Sequence, residues 1–234
     1  IETHTLCMDD YFCPLTAEEL ELLHKNELDL EKPTRVDIPF FREQLGQILA
    51  GEEIALPRFD FKNSKRIFDG RTLRRKPGEL IIMEGIHALN PSVTGYDDET
   101  TRIYVSVRTR ITAHDGSVLH PSKIRLVRRM LRDKLGRNRA FSQTVANRIR
   151  VDQGEQRYIM PFKPRAHCSI DSFHSAEMAV YHTCLQDCLD ALEATLPDLA
   201  DVVKVLRELP ALDPALVPHD SLLREFIGDS SLNY

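Results

Sequence analysis

Three groups of residues in this chain have the types and spacing that proton and phosphate chemistry use. Asp9 and Asp10 follow Thr3–Met8, a short run that reads as a strand. In open α/β sheets, ligands bind just beyond the carboxyl ends of the strands. A carboxylate there can take the proton from an attacking hydroxyl or organise a metal; the alternative is a turn pair facing solvent. Glu84 stands in the same kind of place, directly after Leu80-Ile81-Ile82-Met83 and before Gly85. An acid that ends a buried apolar strand is costly unless something pairs with it. A hydrated magnesium ion is one such partner, and a role as N-cap of the next segment is the plainer one.

The third group is cationic. Arg125, Arg128, Arg129 and Arg132 recur at i, i+3, i+4 and i+7, so they share one helix face. Ile124, Val127, Met130 and Leu131 supply the apolar stripe, and Arg137 and Arg139 carry the charge past Gly136. Guanidiniums this close repel unless an anion answers them, and their forked geometry suits phosphate oxygens. A solvated basic face and a nucleic-acid contact are the competing readings. Phe59 and Phe61 flank Asp60 after Pro57, a spacing that serves either a nucleobase or the core. His4, His87, His114, His167, His174 and His182 show no metal-ligand spacing, and no role is assigned to them.

The elements needed to position these groups alternate between strand and helix. Apolar runs at Leu80–Met83 and Ile103–Val107 suit strands buried on both faces of a parallel sheet, with His167–Ile170 as a third. Thr16 with Glu19 marks a helix start, Phe40–Leu49 fits an amphipathic helix closed by Gly51, and Arg66–Pro77 reads as a basic hairpin or loop. A strong helix is expected over 122–135 and another over Glu177–Leu196. This pattern predicts an α/β fold, a parallel sheet with helices on both faces. One domain is expected over 1–200, with 201–234, punctuated by Pro210, Pro214 and Pro218, as an appendage packed on it.

Composition narrows the function classes. A net charge of −5 argues against coating nucleic acid or an anionic membrane. No run approaches the roughly 18–20 apolar residues needed to span a bilayer. Five scattered cysteines, an odd number, point to a reducing cytoplasm. Cys184 and Cys188 share a helical face and are expected to be buried there.

Taken in order, the motifs look familiar: Asp9-Asp10-Tyr11-Phe12, Pro57-Arg58-Phe59-Asp60-Phe61, Met83-Glu84-Gly85-Ile86-His87, and Arg125 through Asp133. This series resembles the uridine kinase/phosphoribulokinase family of P-loop kinases, most closely its bacterial uridine-kinase-like nucleoside kinases. Gly154-Glu155, Tyr158 through Phe162 and Ser221 through Gly228 strengthen the likeness. The resemblance implies ATP-dependent phosphoryl transfer, with Mg2+, to the 5′-hydroxyl of a uridine- or cytidine-like nucleoside. It implies Asp9 as catalytic base, Glu84 on the magnesium side, Glu31 at the ribose hydroxyls and Phe59 beside the base. Arg129 and Arg139 correspond to nucleoside contacts, and Arg132 and Arg137 to lid arginines facing phosphates.

Departures from the family pattern are specific. Ser64 stands where uridine kinases carry a histidine that reads the pyrimidine, Asn138 replaces a glycine after Arg137, and Asn147 replaces a glutamine. Glu31 is longer than the usual aspartate. No G-x-x-x-x-G-K followed by Ser or Thr occurs in the 234 residues. The chain is therefore expected to lack the family's first strand and P-loop helix, and to be inactive alone. The working picture is of carboxylates on two strand tips facing the arginine-rich helix across one phosphate cleft. A phosphorylated pentose as acceptor, a degenerate kinase domain acting as a binding module, and a basic nucleic-acid helix are the rivals. Homo-oligomer formation stays open.

Overall fold

Thr3, Thr5 and Cys7 alternate with His4 and Leu6, and this period-two run forms strand β1 (Thr3–Cys7). The computed structural model describes residues 1–25, 27–61, 63–95 and 100–232. The chain divides into two units, residues 1–104 with 150–168, and residues 105–149 with 169–234.

In the first unit, helix α1 (Ala17–His24) starts with a complete capping box: Thr16 accepts the Glu19 N–H, and the Glu19 carboxylate accepts the Thr16 N–H. Helix α2 (Ile38–Leu49) begins two residues before the expected Phe40, because Asp37 caps it and Pro39 is tolerated in a first turn. Short strands β2 (Glu53–Ala55), β3 (Arg58–Asp60), β4 (Lys65–Ile67) and β5 (Thr72–Arg74) follow. The expected hairpin over Arg66–Pro77 does not close on itself: β4 pairs with β3, and β5 with β2, both antiparallel. Arg66 draws β4 aside by bonding to the Asp37 carboxylate and the Tyr11 and Phe12 carbonyls while lying over the Phe40 ring.

Strand β6 (Leu80–Glu84) runs parallel to β1, in register from Thr3 opposite Leu80 to Cys7 opposite Glu84. Leu6, Met8, Tyr11, Phe41, Ile48 and Val93 form the core behind this pair. The run 80–83 was expected to be buried on both faces, and it is buried on one. Ile81 and Met83 pack on the core, whereas Leu80 and Ile82 are 53% and 51% exposed among the described residues. Continuous apolarity permits two-sided burial but does not supply a second layer. Asn90 caps the short helix α3 (Pro91–Thr94), and strand β7 (Ile103–Ser106) follows.

The second unit opens with the antiparallel pair β8 (Ile111–Thr112) and β9 (Val118–Leu119). Helix α4 (Pro121–Arg137) covers the expected 122–135. Helix α5 (Phe141–Tyr158), whose residues from Arg150 onward belong to the first unit, was not anticipated. Its apolar residues are sparse: Phe141, Val145 and Ile149 recur at i, i+4 and i+8, with Val145 and Phe141 packed on the core and Ile149 exposed. Strand β10 (Cys168–Asp171) pairs with β7, and α6 (Glu177–Leu185), α7 (Leu189–Thr195), α8 (Ala200–Glu208) and α9 (Arg224–Ile227) complete the chain.

The single helix expected over Glu177–Leu196 is broken by a 3₁₀ turn at Gln186–Cys188, where the Cys188 thiol bonds to the Leu185 carbonyl at 3.1 Å. Cys184 and Cys188 therefore do not share a buried face; Cys184 is exposed and Cys188 half-buried. Ile124, Val127, Met130, Tyr181, Val203 and Leu206 make this unit's core, and Leu223 and Phe226 join it from the tail. No helix among the described residues is long and apolar enough to cross a membrane.

Candidate active site

Cys7 and Glu84 are the last pair of the parallel ladder, and both chains turn immediately after it. On one side Met8–Tyr11 winds into a 3₁₀ turn that carries Asp9 and Asp10. On the other, Gly85 lies so close to Met8 that a Cβ there would sit 2.7 Å from the Met8 Cβ. Only glycine lets the two strand tips close up in this way. The closure brings Asp9, Asp10 and Glu84 into one electrostatic neighbourhood. The Asp9 carboxyl is held above the usual carboxylate range, by burial first and then by the negative charge of Glu84 and Asp10. Burial, with help from a hydrogen bond to Glu84, pushes the Cys7 thiol up to about 12. Asp10 has a separate task, accepting the Phe59 backbone N–H at 3.0 Å and so tying β3 to the turn.

Asp9 and Glu84 thus set two carboxylates near each other at the strand tips, beside a thiol that burial keeps protonated. Carboxylate oxygens at such a place are hard ligands of the kind Mg2+ takes, so Glu84 fits the ion that the family resemblance implies.

Glu31 is half-buried and its backbone is clamped. Its N–H donates to the Asp29 carboxylate, which also accepts the Tyr158 hydroxyl, and its carbonyl accepts a ring N–H of His87. Gly154 of α5 packs against it: a Cβ at that glycine would lie 2.5 Å from the Glu31 Cβ. His87 was given no role from sequence, yet it is buried, its Nδ1 has no partner, and burial holds its pKa below the usual imidazole value. Its only signal was a polar ring inside the apolar stretch Ile86–Leu89. Phe59 is buried, edge-on to Phe12 and Phe61, while Phe61 is the 63% exposed ring of the group. Ser64 sits in the left-handed region at φ 49°, and its hydroxyl accepts the Leu15 N–H.

The arginines belong to the second unit, whereas Asp9, Glu31, Phe59 and Glu84 belong to the first. The mutual repulsion expected among them is relieved by the protein's own acids. Arg128 turns inward from the basic face, bonding through Nε and Nη2 to the fully buried Glu177 and lying over the Phe226 ring. Arg132 bonds to Glu225 at 2.8 Å. Arg137 and Arg139 both bond to the buried Asp133, at 3.1 and 3.3 Å. Arg129 stands half-buried on α4. Asn138 adopts φ 46°, so the glycine usual at this place answers a left-handed helix end that asparagine also tolerates. Partners 49 and 93 residues away left no local signal, but Asp133 and Arg137 do show i, i+4 spacing.

At the opposite ends of β1 and β6, Glu2, His4 and Glu79 bring ligand atoms within 4.8 Å of one another, although His4 had been read as unpatterned. Glu79 is already committed there to the Lys76 N–H and to His4.

These features make an α/β protein with acids on the tips of a parallel strand pair, an architecture consistent with a P-loop-kinase-like fold. Uridine kinases are among its relatives. The chain is 26% identical to the uridine kinase of Ureaplasma parvum serovar 3 over 70% of its length and 72% of the relative. It is 28% identical to the uridine kinase of Streptococcus equi subsp. zooepidemicus over 60% of the chain and 55% of that protein. With the uridine kinase of Borrelia duttonii it shares 26% identity over 75% of the chain and 77% of the relative. No family model matches the chain.

Proposed function

We propose that this chain supplies the acceptor side of a nucleoside kinase, in which the γ-phosphoryl group of ATP passes to a ribose 5′-hydroxyl of a uridine- or cytidine-like acceptor. The observation that carries this reading is Asp9. Its carboxyl is half-buried just past a strand tip and is coupled to the charge of Glu84, with proton affinity raised toward what a general base needs. Asp9 takes the proton of the attacking hydroxyl. Glu84 holds Mg2+, which when bound neutralises charge on the transferred phosphate. Glu31, on its clamped backbone, accepts hydrogen bonds from the ribose hydroxyls, and Phe59 with Phe61 supports the base. By the family resemblance alone, Arg129 and Arg139 are assigned to the nucleoside and Arg132 and Arg137 to phosphate oxygens. Because Ser64 replaces the pyrimidine-reading histidine, base preference is expected to be broad.

The relatives named uridine kinase support the reaction class. A kinase of this type is expected in the cytoplasm, with no role for nucleic acid or membrane. The 234 residues contain no P-loop consensus, so this stretch alone is proposed to bind nucleoside without turning over ATP.

The test is calorimetric titration of the chain with uridine, cytidine, adenosine and ribulose 5-phosphate, alongside an assay for nucleoside 5′-monophosphate with Mg-ATP. Pyrimidine nucleoside binding that Glu31→Gln weakens is the expected result. Failure to bind any nucleoside, or binding of the phosphorylated pentose instead, overturns the acceptor; 5′-monophosphate formed by this chain overturns its proposed inactivity.

A further inference from the structure

Asp133 is a side chain that neither the basic pattern nor the proposed chemistry uses, yet it is the hub of the α4–α5 corner. Its side chain is buried, and three donors converge on the carboxylate: Arg137 Nη1 at 3.1 Å, Arg139 Nη1 at 3.3 Å and Thr144 Oγ1 at 3.0 Å. Its backbone carbonyl also accepts the N–H groups of Asn138 and Arg139, closing the left-handed turn that ends α4. A carboxylate buried at this depth is strongly disfavoured without such donors. One acid therefore holds two cations side by side through a single nitrogen each. Both guanidiniums remain open on their other side, with the Arg137 and Arg139 side chains 61% and 37% exposed.

We propose that Asp133 is a positioning residue, holding Arg137 and Arg139 as a preorganised pair that receives the oxyanions of a phosphate-bearing ligand. The inference rests on the phosphate role proposed above for Arg137, extends it to Arg139 because the same carboxylate holds both, and adds the residue that orders them. Long arginine side chains lose considerable rotamer entropy on engaging an anion, and a buried acid that fixes them beforehand removes much of that loss from the binding step. Arg132 is held differently, by Glu225 near the far end of the chain, so Asp133 governs only the pair beyond the helix end.

The experiment titrates the chain with inorganic tripolyphosphate and follows binding by calorimetry, with thermal melting of each variant. Asp133→Asn keeps the shape and the Thr144 contact but removes the charge that gathers the arginines. It is expected to weaken tripolyphosphate binding about tenfold or more in a variant that still melts cooperatively. Asp133→Glu is expected to restore part of the loss. In an Arg137→Gln/Arg139→Gln background, Asp133→Asn is expected to have no further effect on binding. A purely structural role would lower the melting temperature and leave affinity alone. Unchanged or tighter binding by Asp133→Asn, or an equal effect in the doubly substituted background, overturns the inference while leaving the phosphate role intact. A chain that binds no tripolyphosphate at all overturns both.

Discussion

Gly154 and Glu31 are packed so closely that a Cβ on the glycine would lie 2.5 Å from the Cβ of the glutamate. The contact joins α5 to a segment more than a hundred residues earlier in the chain, and it makes a local rule fail. Alanine is the better helix former, by about 1 kcal/mol over glycine. Here Gly154→Ala is nevertheless expected to destabilise the chain by roughly 1–3 kcal/mol, because overpacking outweighs propensity. It should also weaken nucleoside binding by displacing Glu31. Urea unfolding and a uridine titration check both; a variant more stable than the parent would show that the contact yields easily.

Asp9 links the proposed chemistry to stability through pH. Its folded pKa lies above the unfolded one, so the folded chain holds this proton more tightly than the unfolded chain does. Ionising Asp9 therefore costs stability, fully at pH values above the folded pKa and not at all below the ordinary carboxyl value of 3.8. Asp9→Asn is expected to raise the melting temperature at neutral pH, with roughly 2–4 °C for each kcal/mol regained. The gain should shrink as the pH is lowered toward that carboxyl value. Melting curves across a pH series test this, and a gain that does not depend on pH would remove the ionisation of Asp9 as its cause.

Arg128 and Glu177 form the buried ion pair of the second unit. Arg128→Met leaves the fully buried Glu177 unpaired, at a cost of about 3–5 kcal/mol. Adding Glu177→Leu to that variant should recover most of the loss, since a well-packed apolar pair can replace a buried salt bridge. Chemical denaturation of the single and double variants measures the difference. Equal destabilisation in both would mean that packing around Phe226, and not the unpaired charge, decides the cost.

Cys7 should be chemically quiet. With its thiol pushed up to about 12 from an ordinary 9.0, thiolate is scarce near neutral pH. At about pH 8, iodoacetamide is expected to modify the exposed Cys168 more than about tenfold faster than Cys7, as read by peptide mass spectrometry. Comparable rates would mean that the Cys7 thiol is less buried than the strand pair makes it.

The residues that sequence reasoning missed share one cause. α5 offers only Phe141, Val145 and Ile149 to mark its period, His87 looks like any histidine, and Glu177 and Glu225, which answer Arg128 and Arg132, lie far along the chain. Asp133 was the exception, because its i, i+4 spacing to Arg137 was visible beside the basic cluster. It was passed over because the cluster was read for an external anion.

Local pattern alone determined β1 and β6 with their acidic tips, the capped start of α1 and the extent of α4, because apolar period and capping act within a few residues. Tertiary structure alone decided that Leu80 and Ile82 stay exposed, that 177–196 breaks at Gln186–Cys188, and that Arg128 and Arg132 meet carboxylates far along the chain. Burial and ion pairing depend on what the fold brings alongside a residue, and the spacing of its neighbours in sequence does not carry that information.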